Sequence, residues 1–110
     1  MTQLSAICFS LLSGDVLSIM TGFKQFGVTN IPREIGRGVE RRFGVEVSKT
    51  PVKFKSRYGH TGEYYQYRLN KASHNFPGMQ KMAKYIERCI GDPQTQQQRN
   101  MLTKLKPLLK

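Results

Sequence analysis

The 110-residue sequence predicts an α+β fold in which helices precede and follow one long β-hairpin. Changes in hydrophobic period carry this prediction. Apolar residues recur every three to four positions up to Phe43, alternate with polar residues between Val45 and Leu69, and return to helical spacing at Met79. A chain of this length can bury one modest core, so the elements are expected to form one small domain.

The N-terminal segment is predicted to form two helices. The first has a single apolar face, made of Leu4, Ile7, Cys8, Leu11 and Leu12. Gly14 ends this helix, and the link at 15–17 could form a brief strand. Ser18 is a suitable N-cap for the second helix, which is expected over 19–26 with Gly27 as a left-handed residue at its end.

A third helix, expected to run to Phe43, carries two stripes of residues spaced four apart. Thr29 or Asn30 caps it, Pro32 fits its first turn, and Gly44 stops it. The apolar stripe is Ile31, Ile35, Val39 and Phe43, and the basic stripe is Arg33, Arg37 and Arg41. On an α-helical wheel their mean directions differ by about 180°. One face is therefore expected to enter the core, and the other to offer guanidinium groups to an outside partner.

An alternative interpretation makes the arginine stripe an ordinary solvated face. Arginines at i, i+4 repel one another, however, and Glu34 and Glu40 only partly offset that repulsion. Gly36 and Gly38 interrupt the stripe, and each costs ~1 kcal/mol relative to alanine inside a helix. These glycines either allow another backbone to approach closely or end the helix early.

Residues 45–69 predict a long β-hairpin with a basic, flexible tip at 56–62. Pro51 interrupts the first arm, which indicates an edge position or a bulge. The segment 70–78 is expected to be a connector. Two helices follow, at 79–90 and roughly 94–109, and Pro107 is expected to kink or fray the end of the second.

The charge distribution favours a polyanion partner. The chain holds 18 basic and 7 acidic side chains, a formal net charge of +11, and the excess begins at the arginine stripe. Such a field favours nucleic acid or, less often, an anionic membrane surface. The longest apolar runs fall short of the roughly 18–20 residues of a membrane span, and the apolar N-terminus lacks the basic flank of a signal peptide.

The order of these elements resembles the winged helix-turn-helix fold. The stretch SIMTGFKQFGVTNIPREIGRGVERRFGVEV, with a distal YYQYRL, is similar to small helix-turn-helix domains of bacterial, phage and mobile-element proteins. In that family a capped helix ends in a (F/L)G-(I/V)-T turn, and the hairpin closes on a YRL-like strand. The similarity covers roughly residues 14–70. It implies a winged helix-turn-helix domain at 1–70 and a helical extension at 71–110 that packs on it or dimerises.

The resemblance implies that helix 29–43 lies in the DNA major groove and that the wing at 49–62 reaches phosphates or a neighbouring groove. Asparagine can form two hydrogen bonds to the edge of an adenine, and arginine can form two to the edge of a guanine. Asn30, Arg33 and Arg37 are therefore the expected base readers. The full expected contact set of the helix is Thr29, Asn30, Arg33, Arg37, Arg41 and Arg42, the last two at phosphates. Phosphate contacts elsewhere are expected from Lys24, Lys49, Lys53, Lys55 and Arg57, with Tyr58 beside them at the wing tip.

The tyrosines allow a different partner. Tyr64, Tyr65 and Tyr67 either pack against the core and across the hairpin, or stack the bases of RNA or single-stranded DNA. His60 is expected to be a solvated turn residue. Cys8 and Cys89 are expected to be buried free thiols, and two cysteines with two histidines offer no zinc-ligand spacing.

The prediction is therefore a sequence-specific double-stranded DNA-binding protein, such as a transcriptional regulator or a phage or mobile-element accessory factor. No catalytic set or phosphate-cradling loop favours an enzyme, and no cofactor, metal or small-molecule ligand is expected. A protein–protein docking module is the alternative from another class. Its interface would be the apolar face of 79–109, which could also form a homodimer. The expected location is the bacterial or phage-infected cytoplasm, at the nucleoid when DNA is bound.

Overall fold

A computed structural model describes residues 2–22, 27 and 30–109 of the chain. The fold is α+β, as predicted, and combines helices with a two-stranded antiparallel hairpin. In chain order the elements are α1 (Gln3–Leu12), α2 (Ile19–Thr21), α3 (31–43), β1 (Val47–Lys55), β2 (Thr61–Leu69), a 3-10 turn (Ser73–Asn75), α4 (Phe76–Ile90) and α5 (Gln96–Leu109). α4 begins three residues before its predicted start, and α5 begins two residues after its predicted start.

The predicted caps set the helix ends in the N-terminal half. Ser18 forms a capping box with Thr21 at the start of α2, and Gly14 ends the α1 segment with φ 90°. Gly27 has the predicted left-handed φ, 66°. The remainder of the predicted second helix, 23–26, lies outside the described residues, as do Val28 and Thr29 of the predicted turn.

Helix α3 differs from the prediction in its winding. It is α-helical at Ile31–Arg33 and Arg41–Phe43, but Glu34–Glu40 form a π-helix. A strict four-residue repeat drifts by about 40° per step on an α-helix, and the wider π turn counteracts that drift. The whole apolar stripe therefore stays on the core side, with Ile31, Ile35, Val39 and Phe43 at most 5% exposed.

The two glycines of α3 do not end the helix, which continues to Gly44 with its left-handed φ of 67°. A Cβ added at Gly38 would lie 2.9 Å from Cδ1 of Leu4, so this glycine lets α1 approach. A Cβ at Gly36 would meet nothing within 4 Å. The close neighbour of Gly38 is therefore the side chain of Leu4 and not the expected backbone.

The hairpin is regular from Val47↔Leu69 to Lys55↔Thr61, so Pro51 does not mark a bulge. The main chain of Tyr67 exchanges both hydrogen bonds with Leu17 and so points away from β1. Lys49, which is paired with Tyr67, therefore belongs to a non-hydrogen-bonded pair, and its main-chain N–H and C=O point away from β2. The main chain of Pro51, two residues further along β1, points the same way. The missing N–H of Pro51 lies on the open outer edge, which is the predicted edge position.

Leu17 supplies the brief strand that the 15–17 link was expected to allow. It forms an isolated antiparallel bridge to Tyr67, with N–H···O distances of 2.9 and 2.7 Å. This bridge attaches the hairpin to the link between α1 and α2. The predicted tip at 56–62 is shorter in the structure, because Thr61 and Gly62 belong to β2.

The segment predicted as a connector contains a buried clamp at the root of the hairpin. Asn75 is 2% exposed; its Oδ1 accepts from the Glu46 N–H at 3.1 Å, and its Nδ2 donates to the carbonyls of Glu46 and Asn70 at 3.1 and 2.6 Å. Asn70 N–H also donates to the Glu46 carbonyl. The three hydrogen bonds of the Asn75 side chain therefore hold the start of β1 and the end of β2 together.

The C-terminal helices complete the core. α4 packs against α1 and α5, and its apolar stripe is buried within the chain: Met79, Met82, Ala83, Ile86 and Ile90. α5 continues past Pro107 to Leu109. None of the helices in the described ranges is long and apolar enough to cross a membrane.

The two cysteines are both free thiols, as expected, but only Cys8 is buried. Burial raises the pKa of Cys8 to about 12. Cys89 is half-buried, because it lies at the margin of the apolar stripe of α4 rather than within it.

Candidate nucleic-acid interface

The outer face of α3 is a row of exposed arginines. Arg33, Arg37 and Arg41 are all solvent-exposed, whereas the apolar stripe on the opposite face of the same helix is buried. The separation of the two stripes that the four-residue spacing predicts is thus confirmed. Asn30 and Gly44 fix the two ends of the helix, so the row has a defined direction on a rigid support.

Within the residues that the structure describes, no carboxylate pairs with the guanidinium groups of this row. In the described part of the chain the only ion pair joins His74 to Glu46, 2.9 Å apart at the root of the hairpin. Glu34 and Glu40 lie on α3 without pairing with its arginines. The row therefore keeps its donors free, and like charges that face water repel one another until an anion approaches.

Asn30 caps helix α3, and this structural role limits its expected role as a base reader. Its Oδ1 accepts from the Arg33 backbone N–H at 3.2 Å, which caps the first turn of α3. A two-point contact to adenine would need that oxygen as an acceptor, while the side-chain NH₂ group stays available as a donor. Thr29 and Lys24, the other two expected contacts near this end, lie outside the described residues.

Arg42 is expected beside Arg41 at phosphates, but the structure places its side chain over a neighbouring helix. The guanidinium carbon lies 4.5 Å from the ring centroid of Tyr85 in α4 and 5.6 Å from that of Phe43. Arg42 remains exposed. It therefore faces a different part of the surface from the row formed by Arg33, Arg37 and Arg41.

The hairpin has two chemically different faces, since paired residues share a face and successive residues alternate. One face, here called the lysine face, carries Lys49, Lys53 and Lys55. The ammonium group of Lys49 lies 4.1 Å from the ring centroid of Tyr65. Lys53 stands directly across from Glu63, and Lys55 across from Thr61. The expected phosphate contacts of β1 are thus brought to one side.

The lysine face lies on the side of the hairpin that meets the body of the protein. Its root residues Val47, Tyr67 and Leu69 are buried in the core. Burial raises the pKa of Tyr67, and Tyr65 and the carboxylate of Glu40 raise it further. The root of the lysine face and the apolar stripe of α3 belong to the same hydrophobic core.

The tip presents the remaining expected contacts to solvent. Ser56 N–H donates to the His60 carbonyl at 2.6 Å, and Gly59 closes the turn with φ 83°. Arg57 and His60 are exposed, and Tyr58 is 83% exposed. The turn therefore holds one cation and one large aromatic ring away from the core.

The three tyrosines of β2 do not form one stacking surface. Tyr67 is 5% exposed, and Tyr65 is on the same face beneath Lys49. Tyr64 is on the opposite face, half-buried beside Phe54 with ring centroids 6.0 Å apart. The cross-strand packing interpretation accounts for Tyr64 and Tyr67.

Two further features were not identified in the sequence. Asn75 lies in the segment that the sequence predicts as a connector, and its role depends on hydrogen bonds to residues 29 and 5 positions away. Lys81, Lys84 and Arg88 of α4 surround Tyr85 and Arg42. Their i, i+3, i+7 spacing in the sequence indicates a basic helix face. That this face meets Arg42 depends on the tertiary packing and cannot be read from the spacing.

We find no significant match to this chain among protein-family models, curated proteins or solved structures. Within the described residues no cluster of three or more His, Cys, Asp or Glu side chains could hold a metal ion.

Proposed function

We propose that this chain is a sequence-specific double-stranded DNA-binding protein that reads the major groove with helix α3. The observation that carries the proposal is the unpaired, exposed row of Arg33, Arg37 and Arg41 on a helix whose opposite face is anchored in the core. Groove insertion needs a helix that is rigidly supported on one side and rich in donors on the other.

The arrangement of elements supports a winged helix-turn-helix layout. α1, the Leu17 bridge, α2, α3 and the hairpin follow one another in the order of that fold. The hairpin acts as the wing, and Lys49, Lys53, Lys55 and Arg57 contact backbone phosphates there. Arg33 and Arg37 read base edges, and the phosphate contacts fix the position of α3 on the duplex. A transcriptional regulator or a phage or mobile-element accessory factor fits this activity.

The alternatives have less support in the described residues. Most of the apolar face of 79–109, the expected docking or dimer surface, is buried in the chain's own core, and Leu102, Leu108 and Leu109 of α5 are half-buried against it. Single-strand stacking would need Tyr64, Tyr65 or Tyr67 exposed on an open sheet; Tyr65 is 37% exposed, but its ring lies beneath Lys49, while Tyr64 is half-buried and Tyr67 is buried. The exposed arginine row therefore favours duplex DNA.

The direct test is selection from a random double-stranded library at two salt concentrations, followed by sequencing of the retained duplexes. Specific reading predicts an enriched motif that persists at the higher salt. An inverted repeat would indicate a symmetric dimer. Retention without a motif, falling steeply with salt, would reduce the activity to non-specific binding, and no retention at low salt would exclude duplex DNA as the partner.

A matched pair of variants ties the result to α3. Arg33→Ala should alter the selected motif at one base position. Arg99→Ala removes the same charge from the exposed face of α5 and should leave the motif unchanged. Equal effects of both substitutions would mean that net charge, rather than the arginine row, governs binding.

A further inference from the structure

We propose that Arg42, Lys81, Lys84 and Arg88 form a second phosphate-binding site, separate from the arginine row, which holds the sugar-phosphate backbone of the bound duplex. The pocket has a volume of about 240 Å³, and the side chains that line it are Arg42, Phe43, Lys81, Lys84, Tyr85 and Arg88. The choice of DNA as the source of phosphate rests on the proposed function, whereas the phosphate chemistry rests on the pocket alone.

The floor of the pocket is a fixed aromatic ring. Tyr85 is half-buried, its hydroxyl lies 3.0 Å from Oγ1 of Thr2, and its ring lies 5.6 Å from that of Phe43 at a 51° tilt. Thr2 itself accepts from the Ser5 N–H as the cap of α1. Tyr85 is thus held at its hydroxyl end by α1 and along its ring by α3.

Arg42 is positioned on this floor without a carboxylate partner. Its guanidinium group stacks over both rings, at 4.5 and 5.6 Å, which orients the planar donors without consuming them. An arginine that is oriented but unpaired can offer two parallel N–H bonds to a phosphate. The Arg42 side chain is therefore oriented for anion binding before the anion arrives, unlike a surface arginine that moves freely.

Three further cations converge from α4. Lys81, Lys84 and Arg88 project within about 60° of one another around a helix, so their charges repel. All three are exposed, and none makes an ion pair in the described part of the chain. Glu87, their acidic neighbour on α4, does not line the pocket. A multivalent anion would reduce the repulsion among these four positive charges more than a single carboxylate would.

The position of the pocket suits a polymeric phosphate. Arg42 directly follows Arg41 at the C-terminal end of α3, so the pocket begins where the arginine row ends. The Lys81–Arg88 face then extends about 10 Å along α4, long enough to follow a phosphate backbone rather than one isolated group. Contacts here would add phosphates next to the C-terminal end of the arginine row.

The first experiment measures duplex binding by fluorescence anisotropy across a range of salt. The double variant K84Q/R88Q is compared with R99Q/K71Q, which removes one lysine and one arginine from exposed positions outside the pocket. Counterion release predicts that the slope of log K against log salt falls by about 1–2 for K84Q/R88Q. The control should keep the wild-type slope, and both variants should select the wild-type motif.

The second experiment titrates pyrophosphate and follows the side-chain Nε–Hε resonances of the arginines. Saturable shifts of Arg42 and Arg88, without a shift of Arg99, support the site. If these shifts occur but wild-type protein binds no duplex, the proposed DNA function fails and the source of phosphate is a small molecule. Equal slopes for the two variants together with no selective shifts would overturn the site while leaving the arginine row untouched.

Discussion

Helix α3 and the outer half of the hairpin are both basic and exposed, but they are supported differently. Four buried side chains anchor α3, with Ile31, Ile35 and Val39 at most 1% exposed. Beyond its root the hairpin buries less: Phe54 is 49% exposed and Val52 is half-buried. Base reading requires donors placed to within a fraction of an ångström, whereas phosphate contacts tolerate movement. The difference in support therefore matches the difference in proposed role.

The largest expected effect tests the support itself. Ile35→Ala should lower the free energy of unfolding by about 2–5 kcal/mol, because it removes buried methyl groups and leaves a cavity behind α3. Phe54→Ala, at the outer hairpin, should cost less than about 1 kcal/mol, since the ring is half in water and contacts one cross-strand aromatic neighbour. Urea denaturation of both variants measures the contrast, and similar losses would show that the outer hairpin is as firmly held as α3.

The root of the hairpin should behave like α3 rather than like the tip. Asn75→Ala leaves the Glu46 N–H and the Asn70 carbonyl without their buried partner, which should cost about 1–3 kcal/mol. His74→Ala removes only the exposed pair with Glu46 and should cost less than about 1 kcal/mol. Faster amide exchange at Glu46 in Asn75→Ala would locate the loss, and equal costs for the two variants would contradict the clamp.

Binding specificity sharpens the comparison. Arg37→Ala should lose about 1–3 kcal/mol of discrimination at one base pair, while Lys55→Ala should weaken all duplexes alike and reduce the salt slope by about 1. Lys55 is a cleaner choice than Lys53, because Glu63 stands across from Lys53. Competition with single-base variants of the selected motif separates the two outcomes. If Arg37→Ala lowers all affinities uniformly, α3 is a phosphate-binding helix and base reading lies elsewhere.

The features predicted from the sequence are those that depend on local spacing. The buried and exposed stripes of α3 follow from its four-residue repeats, and the edge position of Pro51 follows from its missing N–H. The π-helical winding of Glu34–Glu40 was not predicted, because it depends on how the apolar stripe meets the core. The Arg42 pocket was missed for a related reason, since Arg42 and Tyr85 are far apart in sequence and meet only through α3 packing on α4.

The smallest expected effect concerns the two glycines of α3. Gly36→Ala should raise the free energy of unfolding by about 0.5–1 kcal/mol, because the added Cβ meets nothing within 4 Å and alanine loses less backbone entropy. Gly38→Ala should gain less, since its Cβ would lie 2.9 Å from Cδ1 of Leu4, whose side chain would have to shift. Thermal unfolding of the pair measures both. A stabilised Gly36→Ala protein that binds its motif less well would place the DNA backbone against Gly36. Unchanged binding would show that α3 is oriented by its buried stripe alone, and that stiffening the helix adds nothing to reading.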